Sequence, residues 1–282
     1  MWVIYALLSA LGWAASDAMA KRAMAKGADE RFVLFVRYLV ALPVLLPFLA
    51  QGVPPLDATF WRLHLLWIPL ETTALFLYIR AIRLAPLSLT LPYLSFTPLF
   101  LILTGWVFLG ERVSALGAAG ILTVVLGSYV LNLGERAQGL WAPLLAVFRE
   151  PGSRRMLAAA ALYSLTSLVG KELVRHSSPW YFSVHYTVVM SVVLAPFGWR
   201  HRSGHRPLAR DLVLSGVFFS GMILFHMLAI ERAVVAYMIA LKRFQGVFGV
   251  ILGHLLFREQ ALGWRLAGSL LMVLGGVLIV LA

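Results

Sequence analysis

The chain of 282 residues is 61% hydrophobic and only 13% charged, with a mean hydropathy of +0.87 and no cysteine. Soluble domains are about 45–50% apolar, so this composition excludes a soluble protein, and the lack of cysteine excludes disulfides and thiolate chemistry. The net charge of +12 could indicate a nucleic-acid partner, but basic loops on one face of a membrane explain it more simply, so we expect no nucleic acid.

Apolar stretches of about 20 residues between short polar breaks predict an all-α membrane protein with ten transmembrane helices. Transmembrane β-strands would be shorter and would alternate in polarity. The first stretch resembles a signal peptide in length, but it lacks a basic start and contains Asp17, so we interpret it as a span. The predicted spans are 2–20, 32–49, 62–82, 86–109, 114–133, 156–174, 180–198, 211–230, 234–257 and 262–281.

A shift of 148 residues overlays the two halves of the sequence. It places Glu111 on Glu259 and the pair Arg37-Tyr38 on the pair His185-Tyr186. Three glycines also fall on glycines: Gly105, Gly120 and Gly127 on Gly253, Gly268 and Gly275. Because each half holds an odd number of predicted helices, the halves would cross the membrane in opposite directions, as in the inverted repeats of transporters. We predict a first repeat at 1–133, an interfacial linker at 134–155 and a second repeat at 156–282.

The ends of the two halves share one pattern, an apolar helix, a short turn with a glutamate, and a glycine-bearing helix. It reads LILTGWVFLGERVSALGAAGILTVVLGSYVL in the first half and VILGHLLFREQALGWRLAGSLLMVLGGVLIV in the second. With the opening helix LLSALGWAASDAMAKRA, these motifs resemble the paired EamA domains of the drug/metabolite transporter superfamily over essentially the whole chain. The resemblance implies two inverted five-helix EamA repeats that transport by alternating access. It names no substrate, because members move amino acids, sugars, nucleotide sugars, phosphorylated metabolites, drugs and lipid-linked sugars.

Lysine and arginine are distributed unevenly between the predicted loops. The odd-numbered loops hold 16 of the 24 cations and the even-numbered loops hold 4. The positive-inside rule therefore places the odd-numbered loops in the cytoplasm and both termini outside, whereas the family resemblance implies termini inside. We expect a multi-pass protein of a prokaryotic inner (plasma) membrane.

Lys242 and Arg243 lie at the midpoint of the predicted ninth span. Such charges are costly in lipid, about 2.5–3.5 kcal/mol each on insertion scales, so they must face the bundle interior. They either form a structural ion pair with Glu71 or Asp17, or bind a substrate. Two cations with few acids nearby favour an anionic substrate, which arginine can grip through two hydrogen bonds. The pair also resembles the Lys-Arg pair of plastid phosphate translocators, which implies phosphate binding.

Other polar residues within the spans are candidates for the same site. Arg37 and its counterpart His185 lie early in their helices and could face either the interface or a cavity. Glu71, near the middle of the third span, could neutralise a cation or bind a coupling proton. Lys171 and Glu172 are interpreted as an interfacial pair.

Asp17 and Lys21 are spaced four residues apart and could pair on one helix face. His226, which the shift places on Tyr78, could be a hydrogen-bonded packing residue or a proton relay.

The predicted fourth span contains several prolines and hydroxyl groups. Proline frees backbone carbonyls, so this helix could line a cavity with polar groups, or the prolines could simply be tolerated. The residues concerned are Pro86, Pro92 and Pro98, with Thr90, Tyr93, Ser95 and Thr97.

We therefore predict a secondary carrier of a small polar, anionic metabolite, phosphorylated or carboxylated. The predicted substrate-binding residues are Lys242, Arg243, Arg37, Tyr93, Thr97 and His226, and Glu71 or Asp17 would couple protons or balance charge. Exchange against a counter-substrate is equally allowed. Alternatives are a flippase of a lipid-linked sugar phosphate, an exporter of amino acids or drugs, a membrane enzyme acting on a lipid phosphate, and a structural or sensor protein.

The sequence contains none of the nucleotide-binding or catalytic motifs GxxxxGK[ST], HExxH and GxSxG, so we expect no enzyme. His201 and His205 lie in a basic loop without further metal-ligating residues, so we expect neither a metal nor a cofactor. The expected partners are the substrate, the lipid bilayer and a proton or counter-substrate, and the chain could be a monomer or a homodimer.

Overall fold

The structure is a computed structural model that describes residues 1–84, 93–131, 149–201, 209–257 and 263–282. All regular elements within these ranges are helical. The helices are α1 (Trp2–Ala25), α2 (Glu30–Leu45), α3 (Ala58–Leu84), α4 (Thr97–Leu109), α5 (Ala115–Leu131), α6 (Pro151–Arg175), α7 (Pro179–Arg200), α8 (Ala209–Arg232), α9 (Val235–Lys242), α10 (Gln245–Phe257) and α11 (Gly263–Val280), with a 3₁₀ helix at Leu46–Gln51. The predictions for Pro86, Thr90, Pro92, His205, Glu259 and residues 134–148 fall outside the described residues.

Seven helical segments of the described chain are long and apolar enough to cross a membrane. They correspond to the first, second and sixth to tenth predicted spans. The third, α3, has 27 residues but carries Glu71 between Arg62 and Arg80. The described parts of the fourth and fifth, α4 and α5, have 13 and 17 residues, fewer than the roughly 20 that a bilayer requires. The chain is therefore a helical, multi-pass membrane protein, and the number ten stays a prediction.

Capping residues mark several helix boundaries. The Asp29 carboxylate accepts a hydrogen bond from the Arg31 amide (2.8 Å) at the start of α2. The Ser178 hydroxyl accepts one from the Tyr181 amide (3.1 Å) at the start of α7. These side chains satisfy amides that have no partner within the helix. The helices thus begin at these boundaries because the local sequence favours it.

The predicted ninth span, 234–257, is not one continuous helix. It divides into α9 and α10 at a turn formed by Arg243 and Phe244. The Phe244 amide donates to the Leu241 carbonyl at 3.0 Å, a three-residue spacing that tightens the backbone there. The same turn occurs 148 residues earlier, where the Phe96 amide donates to the Tyr93 carbonyl at 3.1 Å. Each half therefore contains a turn at the corresponding position, Tyr93–Phe96 in the first half and Leu241–Phe244 in the second.

The main helix contacts join the first half of the chain to the second. Helix α1 packs on α8, α3 on α6, α2 on α7, and α5 on α11. The 148-residue shift converts α1 into α6 and α3 into α8, so it exchanges the first two contacts. The same shift converts α2 into α7 and α5 into α11, so each of the other two contacts joins a helix to its own counterpart. The halves thus meet through matching surfaces.

Helices α5 and α11 approach so closely that glycine is required at their contact. A Cβ atom on Gly120 would lie 2.8 Å from the Gly275 carbonyl oxygen, and one on Gly127 would lie 2.7 Å from the Gly268 carbonyl oxygen. The shift places Gly120 on Gly268 and Gly127 on Gly275, so each glycine contacts the counterpart of the other. Small residues are typical of such close helix packing in membranes.

A buried ion pair connects the turn after α4 to α6 and α9. The Lys171 ammonium, with its side chain 4% exposed, bonds to the Glu111 carboxylate and donates to the Ala233 carbonyl oxygen at 2.6 Å. Glu111 also accepts from the Val235 amide (2.8 Å) at the start of α9. The prediction that Lys171 pairs with Glu172 is wrong, because Lys171 points into the bundle and Glu172 bonds to Arg175 at 2.6 Å instead.

Candidate functional site

A cavity of about 140 Å³ lies between α2, α3, α6, α7, α8 and the turn that separates α9 from α10. Both halves of the chain contribute to its walls. Six lining pairs are related by the 148-residue shift: Leu34 and Phe182, Tyr38 and Tyr186, Glu71 and Phe219, Leu75 and Ile223, Tyr78 and His226, and Ile79 and Met227. The Tyr38 and Tyr186 hydroxyls meet at 2.7 Å. The cavity is thus enclosed where the two halves meet.

The turn between α9 and α10 places two cations against this cavity. Lys242 is the last residue of α9 and Arg243 follows in the turn, and both are 6% exposed. Adjacent residues of a regular helix point about 100° apart, which would separate the two side chains. Arg243 keeps a right-handed helical backbone, with φ −65° and ψ −14°, so the two side chains diverge in this way. Both nevertheless line one cavity, because that cavity extends between several helices.

Lys242 has partners within the protein. Its ammonium lies 2.9 Å from His226 Nδ1 and 4.4 Å from the centre of the Trp13 ring. An ammonium has no acceptor atom, so it donates here and His226 accepts. The indole face adds a cation–π attraction. These contacts compensate part of the cost of burying the charge.

Arg243 is less well satisfied. Its Nε and Nη1 atoms are buried and find no hydrogen-bond partner among the described residues. Neither Arg243 nor Lys242 forms an ion pair with Glu71 or Asp17 in the described structure, so a structural ion pair does not account for the cations. An unpaired buried charge is costly, and a guanidinium presents a planar fork to carboxylate or phosphate. The arrangement can therefore bind an anion.

Glu71 supplies a carboxylate to the same cavity. The Tyr186 hydroxyl donates to it at 3.3 Å, and Thr166 forms a second hydrogen bond with it. Glu71 is 9% exposed. The cavity thus combines an acidic group held by hydroxyls with a cationic turn.

Arg37 lines the cavity, but a carboxylate already binds it. Its Nη2 atom donates to Asp17 at 3.0 Å and its Nε atom donates to the Ser215 hydroxyl at 3.3 Å, while its guanidinium lies 5.1 Å from the Phe219 ring centre. The Trp13 indole also hydrogen-bonds to Asp17. Asp17 therefore holds Arg37 in place rather than lining the cavity itself.

The structure brings six of the eight predicted site residues to the cavity wall: Lys242, Arg243, Arg37, Thr97, His226 and Glu71. Tyr93 is not among the lining residues, since it is 3% exposed and packs with Ala81 and Met156. The Thr97 hydroxyl donates to the Leu94 carbonyl at 2.7 Å, across the turn at Ser95 and Phe96.

Several lining residues were not predicted: Trp13, Tyr38, Tyr163, Thr166 and Tyr186. The repeat provided a signal for two of them, because Tyr38 and Tyr186 correspond under the shift. Nothing in the sequence marks Thr166 or Tyr163, which reach the cavity only because α6 packs on α3. No group of three metal-ligating side chains occurs within the described ranges.

The comparisons with known proteins agree with this architecture. The model of the EamA-like transporter family matches residues 1–133 and 153–281, nearly the whole chain. The chain belongs to the EamA-like transporter family. This EamA-like protein is therefore a membrane transporter of the drug/metabolite superfamily. A crystal structure of another protein aligns with a TM-score of 0.78 and 19% identity, over 99% of this chain and 96% of that chain, which shows a shared fold. A comparison with curated proteins finds no match.

Proposed function

We propose that this EamA-like transporter carries a small anionic metabolite, phosphorylated or carboxylated, by secondary-active alternating access. The observation that carries the proposal is the Arg243 guanidinium, buried at the cavity wall with two nitrogen atoms that lack a partner among the described residues. A bound phosphate or carboxylate would accept from these nitrogens through short, charge-assisted hydrogen bonds.

The balance of charge at the cavity also favours an anion. Arg37 is neutralised by Asp17. Within the described part of the lining, this leaves Lys242 and Arg243 against the one carboxylate of Glu71. An anion would bring the site close to neutrality. A cationic substrate would meet two buried positive charges instead, and like charges in a low-dielectric cavity repel strongly.

Alternating access requires two arrangements of the bundle around one site. The contacts between halves support an inverted repeat that could supply them, because the 148-residue shift exchanges α1–α8 with α3–α6 and relates the two glycine contacts of α5 and α11. Inverted repeats can exchange conformations and so open the same cavity to either side. We place the cationic odd-numbered loops in the cytoplasm of a prokaryotic cell, following their charge.

A zwitterionic substrate such as an amino acid is a second candidate, and Glu71 is the observation that favours it. Its carboxylate shares the cavity with Arg243, so an amino acid could place its carboxylate at Arg243 and its ammonium at Glu71. With a purely anionic substrate, Glu71 would instead bind the coupling proton. A Glu71→Gln variant separates the two roles, because it would abolish amino-acid binding but leave anion binding intact.

Thermal stabilisation of the purified protein tests the proposal. The panel would contain inorganic phosphate, sugar phosphates, dicarboxylates, amino acids, organic cations and a lipid-linked sugar phosphate. A ligand at 100 times its Kd stabilises by about 2.7 kcal/mol. We expect stabilisation by free anions that Arg243→Gln abolishes. Arg232→Gln is the matched control, since the Arg232 side chain is 47% exposed and lies outside the cavity lining.

The other outcomes are equally informative. Stabilisation by amino acids alone would favour the second candidate, and stabilisation by the lipid-linked compound alone would favour a flippase. Stabilisation by organic cations alone, or an Arg243→Gln variant that responds like the parent, would overturn the assignment of Arg243 to anion binding.

A further inference from the structure

A second cavity, of about 280 Å³, lies beside the first at the odd-numbered-loop face. We call it the vestibule, and its polar lining residues are Glu30, Arg31 and Arg80. Glu30 and Arg31 begin α2, whereas Arg80 lies in the last turns of α3. Arg31 donates to His201 Nε2 at 2.8 Å, and the Arg80 side chain is exposed. The described lining therefore carries two guanidinium groups against one carboxylate, an excess of positive charge.

The vestibule adjoins the central cavity. Leu34 and Ile79 line both of them. Along α2, Arg31, Leu34 and Arg37 follow at three-residue intervals, so they lie on neighbouring turns of one helix face about 4.5 Å apart in height. Arg31 lines the vestibule, Leu34 lines both cavities, and Arg37 lines the central cavity. Among the described lining residues, the apolar pair of Leu34 and Ile79 separates the two spaces along this face.

At the opposite end of the bundle, the positions that correspond to the two vestibule arginines carry no charge. The 148-residue shift places Arg31 on Pro179 and Arg80 on Leu228, so neither guanidinium has a cationic counterpart. Leu228 is 4% exposed, and Leu224, the counterpart of Phe76 in the vestibule wall, is 9% exposed.

Contacts between the halves close that opposite end. The Phe48 and Trp180 rings stack at 5.2 Å, and Asp57 bonds to His176 at 2.9 Å. In this structure the cavity at one end is therefore lined by two guanidinium groups, whereas the corresponding positions at the other end are apolar and packed.

We propose that the vestibule is a second anion-binding site, at which Arg31 and Arg80 collect the anionic substrate before it passes between Leu34 and Ile79 to Arg243. The substrate class rests on the proposed function. The physical basis is electrostatic: a cationic cleft with low-dielectric walls raises the local concentration of anions and their rate of arrival. Arg80 is exposed and stays hydrated, and Arg31 is only partly buried, so this site binds weakly and releases its ligand inward.

The chain has no cysteine, so single cysteines can report access without any background. Phe76→Cys places a thiol in the vestibule, and Leu224→Cys places one at the corresponding position of the closed end. The full-length protein in nanodiscs would be treated with an anionic methanethiosulfonate (sulfonatoethyl) or a cationic one (trimethylammonioethyl). Ile79→Cys serves as a second reporter of the vestibule should Phe76→Cys fold poorly.

Each rate is divided by the rate of the same reagent with a small free thiol, which removes the difference in intrinsic reactivity. On that scale we expect the thiol of Phe76→Cys to react at least about tenfold faster with the anionic reagent than with the cationic one at low salt, in the range of electrostatic steering. Adding Arg31→Gln and Arg80→Gln should bring that ratio close to one. The thiol of Leu224→Cys should react at least about tenfold more slowly with either reagent. Equal rates on this normalised scale for the two reagents in the parent background, or a ratio that survives loss of both arginines, would refute the vestibule site.

This result is independent of the central site. Charge selectivity at Phe76→Cys, together with failure of every free anion in the panel to stabilise the protein, would refute the role of Arg243 and leave the vestibule intact. Conversely, stabilisation by a free anion that depends on Arg243, without charge selectivity in the vestibule, would support the role of Arg243 and refute the vestibule site.

Discussion

The buried ion pair between Lys171 and Glu111 permits a quantitative prediction about the junction of the two halves. Their side chains are 4% and 11% exposed, so removal of either partner leaves a charge with little access to water. Such a loss costs about 3–5 kcal/mol in other proteins. We expect Lys171→Met and Glu111→Gln each to lower the free energy of unfolding by about 3 kcal/mol or more on that basis.

The double variant should lose much less than the sum of the single variants. Removing both charges leaves no charge unpaired and weakens only the hydrogen bonds to the Val235 amide and the Ala233 carbonyl. Loss of the partner of such a buried polar group costs about 1–3 kcal/mol. The two substitutions should therefore be coupled by at least about 2 kcal/mol, within the range found for residues in direct contact.

Reversible unfolding in mixed micelles, followed by tryptophan fluorescence, would supply the four free energies of this cycle. Arg175 provides the control, because its bond to Glu172 has the same chemistry but the two side chains are 48% and 26% exposed. Arg175→Ala should cost no more than about 1 kcal/mol, as is typical of surface pairs. Additive effects of Lys171→Met and Glu111→Gln would refute the argument that the two buried charges depend on each other.

Two further predictions concern stability. Gly268→Ala should destabilise the protein by about 1–3 kcal/mol, as overpacking does elsewhere, because the new Cβ would clash with the Leu131 amide nitrogen. Gly249→Ala is the control and should be neutral or stabilising in the same unfolding assay, because its Cβ would meet nothing within 4 Å. Equal losses of stability in the two variants would contradict the close contact at Gly268. The Phe60 amide, and after it His176, hold the pKa of Asp57 below its usual value, so its contribution is present above about pH 4 and lost as the pH falls through the lowered pKa. Asp57→Asn should therefore lower the melting temperature at pH 7, and the difference from the parent should shrink towards pH 3; a constant difference would refute this.

Much of the site could be predicted because lipid excludes buried charge. Lys242, Arg243, Glu71 and Arg37 were identified from their positions within apolar spans, and all four line the cavity. Tyr93 was inferred from the hydroxyls around it, a weaker signal, since a tyrosine can equally pack among apolar neighbours. A charge within a span restricts where a side chain can face, whereas a hydroxyl does not.

The sequence by itself determined that the chain is a helical membrane protein, that its halves correspond under a 148-residue shift, and that its cations must face inward, because hydropathy and the cost of burying charge act at each position separately. Only the tertiary structure decided which groups meet: that Lys171 bonds to Glu111, that Asp17 holds Arg37, and that Lys242 and Arg243 line one cavity. Those outcomes depend on distances between helices far apart in the chain, and no local pattern encodes them.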